Sequence, residues 1–304
     1  MKKNLKFFLK LFFGVGILVL LFSKTTVQEF VRLLIEADYK FFIFSLVLYI
    51  IGQIISAKKW MVISQNLNFE YKFSNYLKWY FLGMFYNMFL PTNIGGDVVK
   101  ATKIKDNKPY CIKRAIISVL SDRITGLFVL VLFILCGCIF FNRIHWLNIL
   151  NIMIIFSIFI CTILMLYIVK KDNLIPEKYR NTRDLILLIF EKKCIIKFIF
   201  LSLIFHSFLI IIHYFIARMY GLEIPFSYYL LLYPITAIVA SLPVSINGMG
   251  LKELVYVSML KPFGIDTATA IMFAMTFNMV VLFSGTIGFI PYMDIKRINK
   301  NNLQ

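Results

Sequence analysis

The sequence predicts an all-α polytopic membrane protein with about six full transmembrane helices plus two re-entrant broken helices, arranged as an inverted-topology repeat. Three observations predict it. Of the 304 residues, 60% are hydrophobic and only 16% charged, with mean hydropathy +0.82; soluble domains are about 45–50% apolar and about 25% charged. The basic residues gather in alternate segments between apolar runs. Finally, two Leu-Pro breaks followed by glycines stand half a chain apart.

The elements follow in order. Met1-Lys2-Lys3 and an apolar run to Phe22 resemble a signal peptide. With no small-residue cleavage site, and with Lys24 following, the run reads as an uncleaved anchor. A membrane helix needs about 20 largely apolar residues. The segments 5–23, 41–57, 115–141, 147–169, 196–217 and 266–291 qualify. Two shorter apolar segments, 76–90 and 227–242, each run into a proline and then a glycine-containing stretch. Residues 182–193 read as an interfacial helix on the inner leaflet. The five cysteines lack metal or redox spacing and read as small hydrophobes.

Lysine and arginine set the sidedness. With the N-terminus in the cytoplasm, 25 of the 33 basic residues fall on cytoplasmic segments. The segments 58–78 and 97–114, on either side of 76–96, are both strongly basic. A crossing at 76–96 would put one of them outside, so this stretch is expected to dip in and return. By the same parity, 227–260 dips in from outside. Non-helical backbone at membrane depth requires burial in protein or a wet cavity, so both dips imply an internal site. Both termini are expected in the cytoplasm of a cell (plasma or inner) membrane protein. The net charge of +18 suits an anionic inner leaflet and, in so apolar a chain, does not indicate nucleic acid.

The first break reads Leu90-Pro91-Thr92-Asn93-Ile94-Gly95-Gly96-Asp97. The second reads Leu242-Pro243-Val244-Ser245-Ile246-Asn247-Gly248-Met249-Gly250-Leu251-Lys252-Glu253. The prolines are 152 residues apart. Each half has two spans, a dip and one span, the first starting inside and the second outside. That is the plan of inverted-repeat transporters, with halves of about 1–143 and 144–304 in one domain. Proline ends the incoming helix, and glycine permits the turn. Thr92, Asn93, Ser245 and Asn247 are candidate caps for the next helix, whose N-terminus favours phosphate or carboxylate.

The expected substrate-binding residues are therefore Asn93, Gly95, Gly96, Asp97, Asn247, Gly248, Gly250, Lys252 and Glu253, with Arg123 on the third full span. Glu253, an acid within the membrane, reads as functional; Asp97 reads as a headgroup or proton site, or as a cap. Arg123, beside Asp122, reads as a phosphate ligand or as half of a structural ion pair. His206 and His213, seven apart on one face, read as a proton relay or as polar packing. Asn87 and Asn278 read as interhelical hydrogen-bonding residues, and Gly285 and Gly288 as close-packing positions.

The Pro91–Asp97 and Pro243–Glu253 stretches resemble the signature segments of the flippase-like integral membrane family. That family includes the transmembrane domain of lysylphosphatidylglycerol synthase/flippase proteins and similar domains in archaeal glycosylation proteins. The resemblance covers essentially the whole chain and implies a flippase-like role on phospholipids or polyprenyl-linked lipids. Where the family often has arginine before the second acid, this sequence has Lys252, which keeps the charge without the bidentate fork. The sequence ends thirteen residues after Pro291, so the soluble aminoacyltransferase domain of full-length synthases, and its activity, do not carry over.

No Walker motif, metal-ligand cluster or nucleophile elbow is present. The leading expectation is thus a non-enzymatic carrier for an anionic phospholipid or polyprenyl-linked (glyco)lipid, with no cofactor. One alternative is the membrane subunit of a lysylphosphatidylglycerol synthase-type system; another is a small-anion secondary transporter. Expected partners are membrane lipids with anionic headgroups, and glycosyltransferases or a separate synthase.

Overall fold

Long apolar runs without internal breakers satisfy their backbone hydrogen bonds within one helix, which is what a bilayer demands. The computed structural model describes residues 2–90, 95–105, 111–140, 192–242, 244, 245 and 248–294. The expected span 147–169, nearly all of 182–193, and Pro91, Asn93, Pro243 and Asn247 lie outside the described residues.

The described helices are α1 (Lys2–Phe22), α2 (Val27–Glu36), α3 (Tyr39–Gln65), α4 (Phe73–Phe89), α5 (Gly95–Ile104), α6 (Cys111–Phe140), α7 (Lys192–Met219), α8 (Phe226–Ser241), α9 (Leu251–Leu260) and α10 (Thr267–Gly285). A 3₁₀ turn, Thr286–Gly288, prolongs α10, and the helix then runs on to Asp294. Four of these helices are long and apolar enough to cross a membrane: α3, α6, α7 and α10. They cover four of the six expected spans. A fifth arises if α1 and α2 form one span, although the two are bent by 81° at their junction.

The stretch between the expected spans 5–23 and 41–57 contains α2. Its start is built by a capping box. The Thr26 side chain accepts the Glu29 N–H at 3.3 Å, and the Glu29 carboxylate accepts the Thr26 N–H at 3.0 Å. Val27, Phe30, Val31, Leu34 and Ile35 repeat at helical spacing, yet no residue of α2 is buried.

The helices on either side of each break pack against each other as a hairpin. In the first, α5 returns along α4. A Cβ on Gly83 would lie 2.8 Å from the Gly96 carbonyl oxygen, so these two glycines let the backbones touch. Asn87 of α4 then accepts the Gly96 N–H at 2.6 Å, which caps α5 from the preceding helix. In the second, α9 returns along α8. Gly248 packs on Ala240, and the Tyr228 hydroxyl donates to the Met259 carbonyl at 2.6 Å. The φ angles of Gly248 and Gly250, +75° and +80°, are ones that glycine adopts without cost.

Several helices early and late in the chain are alike in length. α3 and α7 contain 27 and 28 residues, α4 and α8 contain 17 and 16, and α5 and α9 contain 10 each. Their first residues, 39 and 192, 73 and 226, 95 and 251, lie 153, 153 and 156 positions apart. α3 lies on α7, with Gly52 against Phe205 and Phe208. α6 crosses α8 with Gly137 against Leu230 and Leu231, and α10 crosses α4 with Gly285 and Gly288 against Met84, Met88, Phe81 and Phe85. Small residues at crossings are how helices associate in lipid, where there is no hydrophobic drive between them.

Two apolar cores result. One surrounds α7, α8 and α10, with Tyr229, Phe273 and Ile216 inaccessible. The other lies where α3, α4 and α6 meet, around Trp60 and Tyr76. The rings of Trp60, Tyr76 and Trp79 meet edge to face, and the Trp60 indole donates to Ser118 Oγ at 3.2 Å.

Candidate functional site

Between the two hairpins lies a cavity of about 960 Å³ bordered by α1, α3, α4, α5, α6, α7, α8, α9 and α10. Its wall joins residues remote in sequence: Asp97, Lys100, Asp122 and Arg123 from the first half, Lys252, Glu253 and Asn278 from the second.

The first-half wall is an ion network. Lys59 of α3 reaches Asp122 of α6 at 2.9 Å and also donates to the Asp122 backbone carbonyl at 3.0 Å. Lys100 sits one turn after Asp97 on α5 and binds it at 3.0 Å; its ammonium also lies 3.7 Å from Asp122. Arg123 donates to the other oxygen of Asp97. The Lys100 ammonium faces the Tyr80 ring at 4.8 Å, and the Tyr80 hydroxyl shares a 2.7 Å hydrogen bond with Ser56. Lys59, Lys100 and Asp122 are buried and Asp97 is 13% exposed; Arg123, at 40% exposure, is the accessible one.

The second-half wall is smaller. One Glu253 oxygen accepts the Gly250 N–H at 2.8 Å, closing the first turn of α9. The other accepts from the Asn278 amide at 3.2 Å, and the Asn278 carbonyl oxygen accepts from Lys252 at 2.8 Å. Asn278 thus bridges a cation and an anion that are neighbours in sequence.

Of the expected substrate-binding residues, Gly96, Asp97, Arg123, Lys252 and Glu253 line the cavity. Gly95, Gly248 and Gly250 are not among its lining residues and act in packing: a Cβ would meet Leu90 at Gly95, Ala240 at Gly248 and the Gly14 carbonyl at Gly250. Asn93 and Asn247 lie outside the described residues. His206 lines the cavity and shares a 2.8 Å hydrogen bond with the Tyr233 hydroxyl. His213 is enclosed, bonded to the Leu209 carbonyl and the Tyr256 hydroxyl at 2.7 Å each, which is polar packing between helices.

Lys59 and Lys100 went unrecognised as site residues because both sit in segments read as cytoplasmic loops. A signal for Lys59 exists: Ser45, Tyr49, Gln53, Ser56 and Lys59 recur every three or four residues and form a buried polar stripe on α3. Among the described residues, no group of three metal-ligating side chains could hold a metal ion.

Along the rim, apolar side chains in mid-helix are themselves exposed: Leu127 at 42%, Met279 at 45% and Leu282 at 44%. The cavity therefore has a charged interior and an apolar, accessible edge.

A UPF0104 membrane protein from Pyrococcus horikoshii is 27% identical over 179 residues, covering 58% of this chain and 52% of that protein. The chain thus aligns with about half the length of that relative. No solved structure matches it. Residues 7–288 match the family described as the lysylphosphatidylglycerol synthase TM region. With that match over nearly its whole length, the chain belongs to this family of multi-pass membrane proteins.

Proposed function

We propose that this protein is a flippase-like carrier that admits the headgroup of an anionic phospholipid or polyprenyl-linked lipid into the cavity between its hairpins. One observation carries the reading. The cavity combines a charged interior with an exposed apolar rim, as an amphiphile requires when its headgroup enters sideways from a bilayer. A small soluble anion has no use for such a rim.

In this reading the chain is one domain of two inverted halves. The α4–α5 hairpin enters from the cytoplasm and the α8–α9 hairpin from outside, as in transporters built on inverted repeats. Support comes from the matched helix lengths, the nearly constant sequence offset and the crosswise packing of α6 on α8 and α10 on α4. Both termini are cytoplasmic, and the protein resides in the cell membrane. α2, sharply bent from α1 and with no residue buried, rests in the external membrane interface.

The test is lipid movement by the purified chain in proteoliposomes. Acyl-labelled phosphatidylglycerol or polyprenyl phosphate-hexose placed in the inner leaflet becomes accessible to a membrane-impermeant quencher as it crosses. The reading requires movement above that in protein-free vesicles. Movement only when a separate lipid-modifying enzyme is added would favour the second reading, a membrane subunit of such a system, which the family description suggests. Glycosyltransferases are the partners proposed for the polyprenyl-linked case.

A further inference from the structure

We infer that the cavity contains a hydroxyl-binding subsite, formed by Gln53, Tyr49 and His206, which recognises the uncharged polyol end of the headgroup, glycerol or sugar. This rests on the carrier reading and adds what the headgroup bears beyond its anionic group.

The inference comes from polar groups that the fold buries and leaves unused. Gln53, His206 and Tyr49 are 4%, 6% and 8% exposed, and all three line the cavity. The Gln53 amide has no hydrogen-bond partner among the described residues, and neither does the Tyr49 hydroxyl one turn earlier on α3. The Tyr49 ring packs edge to face on Phe277. Across the contact between α3 and α7, His206 commits Nδ1 to the Tyr233 hydroxyl. Its Nε2 faces Gly126, another lining residue, where a Cβ would lie 3.4 Å away. Buried polar groups left unpaired are costly and rare. Three that meet in one cavity mark a place where a ligand supplies the partners.

Their chemistry selects the ligand. An amide both donates and accepts, and a phenol or an imidazole does either. A hydroxyl also both donates and accepts, and neighbouring hydroxyls of glycerol or a sugar offer several at once. An ammonium would need a carboxylate, and the lining acids Asp97, Asp122 and Glu253 already hold Lys100, Lys59 and Asn278. An apolar group would leave the subsite unpaired.

The subsite adjoins the ionic wall. Ser56, one turn after Gln53 on α3, shares its hydrogen bond with Tyr80, whose ring faces the Lys100 ammonium. One headgroup can thus set its anionic group at the ionic wall and its polyol beside Gln53.

The experiment compares lipids of matched chains in the proteoliposome assay, together with their binding to the purified protein by native mass spectrometry. Phosphatidylglycerol is set against phosphatidylpropanol, and polyprenyl phosphate-hexose against the cyclohexyl ester of the same polyprenyl phosphate. Each pair keeps the phosphodiester, its single charge and the size of the substituent, and differs in hydroxyls. The expected result is a preference of about tenfold or more for the hydroxylated member in at least one series, the scale of two net hydrogen bonds. The series that shows it identifies the source, glycerophospholipid or polyprenyl lipid. Equal handling within both pairs overturns the inference. So does a preference for phosphatidylcholine over phosphatidylglycerol, which would mark an ammonium site.

Two variants test the residues. Tyr49→Phe and Gln53→Leu remove groups that bond nothing else among the described residues, so both should fold. Each should lower the preference about threefold or more, the scale of one net hydrogen bond, and a role in packing alone would leave the ratio unmoved. Unchanged ratios in both folded variants overturn the inference, and the wild-type ratios decide it if neither folds. Selective binding without movement would refute the carrier reading while upholding the subsite. Movement without selectivity does the reverse, and neither binding nor movement refutes both.

Discussion

Glu253, in the first turn of α9, accepts a hydrogen bond from Asn278 on α10, 25 residues further along the chain. Asp97, in the first turn of α5, pairs in the same way with Arg123 on α6, 26 residues along. Each half thus joins the acid that follows its break to a residue on the next long helix, and both pairs face one cavity.

That relationship separates charge from shape at Glu253. Glutamine can still reach back to the Gly250 N–H, since capping boxes accept either residue, so Glu253→Gln should insert and fold. Its loss of charge leaves Lys252 without its balancing anion, and lipid movement should fall at least about tenfold. Asn278→Ala should act in the same direction, because it removes the bridge to both charges. Transport by the Glu253→Gln protein at the wild-type rate would show that this carboxylate only caps its helix.

Lys59 and Asp122 give a stability test. Both are buried and bonded to each other. Asp122→Ala strands an ammonium in the interior and should cost about 3–5 kcal/mol, whereas replacing both partners with apolar residues is often nearly neutral. Thermal unfolding in detergent should therefore rank Lys59→Met/Asp122→Leu well above Asp122→Ala, while neither protein moves lipid. A double variant no more stable than the single one would contradict the pairing.

The glycines divide by what surrounds them. A Cβ at Gly96 would collide with the Gly83 carbonyl oxygen, and one at Gly14 would come 3.0 Å from the Met249 carbonyl oxygen; at Gly16 it would meet nothing within 4 Å. Gly96→Ala should disrupt the first hairpin and transport together, Gly14→Ala should weaken the seat of the second hairpin on α1, and Gly16→Ala should be tolerated. Gly264, at φ +72° in open space, should lose about 1–2 kcal/mol as alanine through backbone strain alone. Melting temperatures for the four variants check that order.

Much of this was legible because a bilayer forces the sequence to declare its helices. The apolar runs now in α3, α6, α7 and α10 were plain, as were the Leu90-Pro91 and Leu242-Pro243 breaks and the acids beyond them. The pairing was not legible. Nothing in the order of residues says that Asn87 caps α5 or that Lys100 turns inward to Asp97 and Asp122, because these contacts arise only when α5 lies along α4 and against α6. α2 was missed although Thr26-Val27-Gln28-Glu29 and the apolar spacing after it both mark a helix start. The stretch is too short to span a bilayer by itself, and the search for spans passed over it.

Membrane-sided labelling of single cysteines tests the central claim of two hairpins inserted from opposite faces. The best positions in a cysteine-free background are exposed and flank the hairpins: Glu70 and Lys105 around the first, Glu223 and Lys261 around the second. The expected result is that Glu70→Cys and Lys105→Cys react with an impermeant thiol reagent only from the cytoplasmic side, and Glu223→Cys and Lys261→Cys only from the external side. Reaction of the two members of either pair from opposite sides would show that its hairpin crosses the membrane, and would contradict the inverted arrangement on which the shared cavity is read.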